Sequence, residues 1–267
     1  MSTTTERFIS LTETICFVDH NSVIPERILH SYKLVICFNG SYSAVVNGEA
    51  LSNVTGYLLG SNVPHSADAR GASVLIYFIE LEGRIGQAIR SMLGESKYID
   101  LSSLLATDPF QPLLATGFPA LQAGTIADFA DEVILTLFPK LRSQPTPVLD
   151  RRVNLALSYI EANLHRTIML KEIADLINLS PERTRHLFIE QVGAPFSEYV
   201  LWKRIKSVVC AVKRDKMDFG EAALRFGFAD QSHFGRIFRR LFGCNASFLL
   251  KNLPDIQLIS PSLSEEV

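Results

Sequence analysis

Over the first eighty residues, apolar side chains come in short β-branched and aromatic runs. "YKLVICF", "YSAVV", "GYLLG" and "SVLIYFIE" are separated by "NGS", "NGEA", "SNVPH" and "ARGAS". Runs of this kind bounded by Gly, Asn and Pro predict strands. The pairs Asn39-Gly40 and Asn47-Gly48 predict tight turns. About five or six strands, roughly ten residues apart, predict a small barrel or sandwich. Alternation puts Tyr32, Leu34 and Ile36 on one strand face and Lys33, Val35 and Cys37 on the other. The pattern leaves open which face points inward.

The pattern changes at Glu82. "GRIGQAIRSML" is helix-like, and 120–141 has an apolar stripe through Leu121, Ile126, Phe129, Val133, Leu137 and Leu141, opposite Asp128, Asp131 and Glu132. That stripe suits either a core helix or a dimer seam. "RSQPTPVLD", 142–150, reads as a linker. Beyond it only helical segments follow, at about 149–163, 170–177, 181–192, 195–216, 219–226, 230–242 and 246–252.

Two of these segments repeat. "EIADLINLSPERTRHLFIEQVG" (172–193) and "EAALRFGFADQSHFGRIFRRLFG" (221–243) each open with Glu-apolar-Ala and turn through Leu179 or Phe228. Each restarts at a good helix cap, Ser180 or Asp230, and ends at Gly193 or Gly243. A short helix, a tight turn and a longer amphipathic helix form the helix-turn-helix pattern. With one extra residue in the second turn, the copies are offset by 49 to 50 residues. A connecting helix over 195–216 would be about 33 Å long, close to the ~34 Å between major grooves on one face of B-DNA.

Charge sharpens this division. Residues 1–149 carry 9 Lys and Arg against 14 Asp and Glu, whereas 150–253 carry 17 against 11 and 254–267 have three acids and no base. A basic second half suits a polyanionic partner. Cys16, Cys37, Cys210 and Cys244 include no close pair, which argues against a zinc site or a disulfide framework. Neither a signal peptide nor a membrane span is expected, so the expected location is cytoplasmic.

The stretch "GFADQSHFGRIFRRLFG", with "G-x-P-F-S-x-Y-x-x-x-x-R-I" at 193–205, resembles the DNA-binding domain of the AraC/XylS family of transcription regulators. The resemblance covers about residues 150–250. It implies a seven-helix domain with two helix-turn-helix units, behind an effector or dimerisation domain. The segment "HSYKLVICFNGSYSAVVNGEALSNVTGYLLGSNVPH" is more weakly similar to the family's cupin-like barrel. The expected fold is therefore α+β in two domains: an N-terminal cupin-like β-barrel with helices over 1–141, and an all-α DNA-binding domain over 151–253, followed by a tail over 254–267. Val208, Ile189, Glu182, Glu190 and Ala246 depart from the family's usual residues.

Carried over by position, the resemblance assigns base reading to Gln231, Ser232, Gly235 and Arg236 in the second unit. In the first unit it assigns Glu182, Arg185 and His186, with Arg183 beside them. Gln can pair bidentately with adenine and Arg with guanine, and Glu can accept from cytosine. Phosphate contact is expected from Arg166, Lys203, Lys206, Arg239 and Arg240. His30, Tyr32, Tyr42, Tyr57 and His65 are candidates to line an effector pocket. Phe188, Phe234, Phe238 and Trp202 are expected in the core.

The expected activity is sequence-specific transcription regulation, as an activator. The expected partners are double-stranded promoter DNA, RNA polymerase, and a small-molecule effector or regulatory protein; a homodimer is compatible. Two alternatives compete: a barrel serving only protein docking or dimerisation, and a cupin-type metal enzyme. The histidines are scattered and no His-x-His occurs, so no enzyme activity, metal or cofactor is expected.

Overall fold

The computed structural model describes residues 7–10, 14–123, 125–143, 149–242, 246 and 257–259. The chain divides into two compact units, Met1–Thr146 with Lys251–Val267, and Pro147–Leu250. The division falls inside the 142–150 segment read as a linker. The tail beyond 253 groups with the first unit, because its strand pairs there.

The first unit holds β1 (Arg7–Ser10), β2 (Thr14–His20), β3 (Val23–Arg27), β4 (Tyr32–Asn39), β5 (Tyr42–Val46), β6 (Glu49–Val54), β7 (Gly56–Leu59), β8 (His65–Asp68), β9 (Ser73–Ile79), β10 (Tyr98–Asp100) and β11 (Gln257–Ile259). They form two sheets, ordered β10-β7-β4-β9-β2-β1-β11 and β3-β8-β5-β6. Pairing is antiparallel except for β1 with β11, which run parallel. Asn47 (φ 51°) and Gly48 (φ 83°) both have positive φ, joining β5 to β6 with Val46 opposite Glu49. That is the geometry a two-residue hairpin turn requires.

The central strands are buried on both faces, so their sequence does not alternate. Two contacts between the sheets define the inner face. Tyr42 of β5 meets Tyr57 of β7 edge-on with ring centroids 5.8 Å apart. Lys33 Nζ of β4 lies 3.2 Å from His65 Nε2 of β8. The opposite face carries Tyr32, Leu34 and Ile36 and packs on helices. There the Tyr77 hydroxyl donates to the Ala130 carbonyl at 2.7 Å, and Phe38 packs edge-on against Phe129. These helices are α1 (Arg84–Leu93), α2 (Ser102–Leu105), α3 (Phe110–Ala115), α4 (Gly117–Ala123) and α5 (Ile126–Leu137), followed by a 3-10 turn at Pro139–Arg142. The stripe is core here from Ile126 on: Ile126, Phe129, Val133, Leu137 and Leu141 are all buried, while the Leu121 side chain lies outside what the structure describes.

The second unit contains α6 (Arg151–Ala162), α7 (Leu170–Leu176), α8 (Pro181–Val192), α9 (Phe196–Arg214), α10 (Phe219–Arg225) and α11 (Gln231–Phe242). The helix expected at 246–252 lies outside the described residues, apart from the helical, buried Ala246. The first half packs Val153, Ile160, Ile173, Phe188, Val192 and Tyr199 into one cluster. In the second half, Phe234 is the centre: its ring lies 5.0 Å from Phe219, 5.0 Å from Phe228 and 5.6 Å from Phe238. Such aromatic pairs add about 0.5–1.5 kcal/mol each beyond area burial.

Candidate nucleic-acid interface

The repeat read from sequence recurs bond for bond. Ile177 N–H donates to the Ile173 carbonyl at 3.0 Å, and Phe226 to Ala222 at 3.1 Å. Leu179 donates to Ala174, and Phe228 to Ala223, both at 3.0 Å. Between these bonds the chain takes one left-handed residue, Asn178 (φ 55°) in the first turn and Gly227 (φ 80°) in the second. Asn and Gly are the residues that tolerate this conformation. The second turn then inserts Ala229, and the offset grows from 49 to 50.

The long helices start at equivalent caps. Ser180 Oγ accepts from Arg183 N–H at 3.3 Å, and Asp230 Oδ1 accepts from His233 N–H at 2.6 Å. Each side chain thus satisfies one orphan donor of a helix start. Pro181 occupies the first helical position of α8, where no donor is needed. Thr184 and Phe188 of α8, like Phe234 and Phe238 of α11, face the core. The opposite faces are open to solvent.

On α8 the open face carries Glu182, Arg183, Arg185 and His186. Two carboxylates, Glu182 and Glu190, offset Arg183 and Arg185 on the exposed side of this helix. The Glu182 carboxylate pairs with the Arg185 guanidinium and lies 3.0 Å from His186 Nε2. Ile189 continues the Glu182–Arg185–His186 stripe at the next helical turn and is 43% exposed. The sequence offered a hint there, an apolar residue at a position the family usually makes basic.

On α11 the open face is different. Gln231, Ser232, Arg236, Arg239 and Arg240 are exposed. Among the described residues, none of these three arginines has a carboxylate partner. Gly235 lies within a turn of both Gln231 and Ser232, and a Cβ built on it has open space within 4 Å. No packing inside the chain therefore requires glycine there.

Three expected phosphate contacts need correction. Lys206 is 7% exposed, so its side chain is inside the fold. The Lys203 side chain is only 15% exposed; its ammonium lies over the Tyr199 ring and 3.6 Å from Glu161. The Arg166 guanidinium is held by the fold, through Glu172 Oε2 at 2.8 Å, the Tyr159 hydroxyl at 2.6 Å and the Thr167 carbonyl at 2.9 Å. That network and the Met169 N–H hold the Glu172 carboxyl down at about 2. Lys203 and Lys206 belong to α9, whose 19 residues span about 28 Å. The expected 195–216 helix is shortened because Pro195 caps its start and left-handed Lys216 (φ 56°) follows its end. Trp202 is half-buried rather than fully in the core.

In the first unit, the inner face gathers Tyr42, Tyr57 and His65 from the candidate effector set. Tyr32 is corrected: it is buried on the helix-covered face, one residue out of phase with Lys33. His30 sits half-buried in the turn before β4. The strongest inner-face group was not singled out. Lys33 is 2% exposed, and burial, then the nearby Arg27 charge, lower its amine to about 7. Burial, then Lys33, lower His65 to about 3. The Tyr42 and Tyr57 hydroxyls are buried, with no hydrogen-bond partner among the described residues. Among the described residues, no group of His, Cys, Asp and Glu could hold a metal, and no helix is long and apolar enough to cross a membrane.

Residues 173–252 match a family described as a helix-turn-helix domain. The chain is 28% identical to the probable transcriptional regulator LumQ of Photobacterium leiognathi, over 72% of this chain and 77% of LumQ. It is 26% identical to the arabinose operon regulatory protein of Escherichia coli over 61% of this chain. The chain spans about half of that regulator's length (48%) and 30% of YpdC, an uncharacterised HTH-type transcriptional regulator from the same species that is 29% identical over 32% of this chain. Crystal structures of Vibrio cholerae ToxT share the fold. An apo variant has a TM-score of 0.53 at 15% identity, covering 91% of this chain and 98% of ToxT. ToxT bound to (E)-4-(8-methylnaphthalen-1-yl)but-3-enoic acid has 0.54 at 14%, covering 90% and 98%.

Proposed function

We propose that this chain, which is similar to transcription regulators of the AraC/XylS family, reads duplex promoter DNA through α8 and α11, one in each of two neighbouring major grooves. The observation that carries this reading is the duplicated turn, which presents two capped helices with buried Phe on one side and polar side chains on the other. On α11, Gln231, Ser232 and Arg236 read base edges while Gly235 lets the groove wall approach. Arg239 and Arg240 hold phosphates. On α8, Arg185 and His186 read bases beside Glu182 and Arg183, and Ile189 supplies an apolar contact suited to a thymine methyl. α11, whose three arginines have no carboxylate partner among the described residues, supplies most of the affinity, and α8, nearly neutral, supplies selectivity.

The strand-rich unit regulates this binding by holding an effector on its inner face. Lys33, Tyr42 and Tyr57 supply an amine and two hydroxyls that have no partner among the described residues, inside an apolar sandwich. This lining suits a ligand with an acidic headgroup and an apolar body, and the acid bound by ToxT is of that kind.

Selection of binding sites from random duplex DNA by the full chain tests the DNA-reading proposal. The expected product is a bipartite site with half-sites about one turn, 10–10.5 bp, apart. Affinity for it should fall steeply with salt, as phosphate neutralisation requires. Enrichment of no sequence, or of a single uninterrupted half-site, would overturn it.

A further inference from the structure

Arg204 is the arginine of the "G-x-P-F-S-x-Y-x-x-x-x-R-I" stretch, and it does not face solvent as a DNA contact would. It lies mid-way along α9, the helix joining the two helix-turn-helix units. Its Nε donates to the Leu164 carbonyl at 3.1 Å, and its Nη2 to the Arg166 carbonyl at 2.6 Å. Both acceptors lie where the chain turns out of α6, a helix C-terminus whose dipole favours a cation. Its Nη1 reaches the Gly227 carbonyl at 3.5 Å, in the turn of the second unit. Among the described residues it has no carboxylate partner, and burial lowers its pKa from the usual arginine value.

Gly227 is fitted to this arrangement. A Cβ there would lie 2.8 Å from Arg204 Cζ and 3.0 Å from Nη2. The turn between α10 and α11 therefore rests directly on the guanidinium plane. Arginine suits such a post because its planar fork presents donors in fixed directions, whereas lysine offers one mobile ammonium.

We propose that Arg204 is a positioning residue that locks the second helix-turn-helix onto the first through α9, and so fixes the half-site spacing the chain accepts. This rests on the two-groove reading above. One guanidinium contacts the base of the first unit and the turn of the second, so it sets how the α10–α11 turn, and with it α11, sits against α9. Without it, each reading helix keeps its own core: Phe188 with Tyr199 in one unit, Phe234 with Phe219 and Phe228 in the other. Either half-site should then still be recognised. What is lost is the advantage of presenting both helices together, a gain that depends on rigid geometry between linked sites.

The test uses the full chain with Arg204→Lys, Arg204→Met and Gly227→Asn, the last keeping a residue that tolerates the left-handed turn while crowding the guanidinium. Each is first compared with wild type by circular dichroism, then titrated on the selected site, on a single half-site, and on sites with one or two base pairs added or removed between half-sites. Wild type should lose affinity when the spacing changes. The variants should lose about tenfold or more on the natural spacing, bind the half-site within about twofold of wild type, and show a flattened spacing profile. Arg204→Lys should resemble Arg204→Met rather than wild type. Retention of the wild-type spacing profile by the folded variants overturns the proposal, as does an equal loss on half-site and full site. If the Arg204 variants do not fold, Gly227→Asn decides by the same criteria. A wild-type chain indifferent to spacing overturns the two-groove reading itself, a separate failure.

Discussion

Gly235→Ala separates a demand of the fold from a demand of the ligand. Gly235 sits in the interior of α11 on its open side, and a Cβ there meets no heavy atom within 4 Å. Alanine should therefore cost nothing in packing and should gain helix propensity of about 0.5–1 kcal/mol over glycine. A gain of that size raises the melting temperature of a domain this small by about 2–6 °C. DNA should see the opposite. The added methyl lies beside Ser232 and Arg236 at the expected groove wall, and even a small withdrawal of α11 lengthens their base contacts. Loss of one base contact costs about 1–3 kcal/mol, which is about five- to 150-fold in Kd. Thermal unfolding followed by circular dichroism, with fluorescence anisotropy on the selected site, reads both arms. A variant that is stabilised yet binds as tightly as wild type would refute the placement of this face in the groove. A destabilised variant would refute the claim that the space is open.

Arg236→Ala should relax base preference at one position, whereas Arg239→Ala should weaken all sequences alike and reduce the salt slope by about one; a footprint and a salt titration distinguish them. Glu182→Gln frees Arg185 and His186 from their carboxylate, so binding should tighten and the salt slope steepen by about 0.9. Selective loss at one cytosine would instead make Glu182 a base reader. Lys33 holds a proton up to its ordinary range in the unfolded chain but only up to about 7 when folded. Between those values the unfolded state binds more protons, so stability rises with pH, and the penalty is full below about 7. Melting curves should therefore show Lys33→Met more stable than wild type at pH 7, with the gap narrowing toward pH 9; parallel curves would refute the burial of this charge.

The reading helices were legible because their signals are local. Caps at Ser180 and Asp230, the turn residues, and the apolar stripe of each helix all lie within a few residues of what they specify. Lys203 and Lys206 differ from expectation because the open side of α9 depends on which neighbours pack against it, and Arg166, between α6 and α7, because Glu172 and Tyr159 hold its guanidinium; no local pattern records either. The strands failed for a related reason. β4 is buried on both faces, so alternation could not say that Lys33 points between the sheets and Tyr32 under the helices. An isolated lysine in an apolar run was the available signal; read as a buried charge rather than a surface one, it would have found the inner face. The coupling role of Arg204 was invisible for the opposite reason: its partners are backbone carbonyls, which every residue has.

The strand Gln257–Ile259 lies beside β1, Phe8 against Gln257 and Ser10 against Ile259. In the order of synthesis, the edge of the first sheet is therefore finished only after the helical unit has been made. With roughly 250 residues intervening, at about 5–20 residues per second, β1 waits at least ~12 s for its outer neighbour. During that interval β1 is the kind of unpaired edge that recruits other chains. Fusing a tag near the last residues would disturb the strand-rich unit before the DNA-reading one, and a chain cut after Leu250 should be the more prone to aggregate as it emerges.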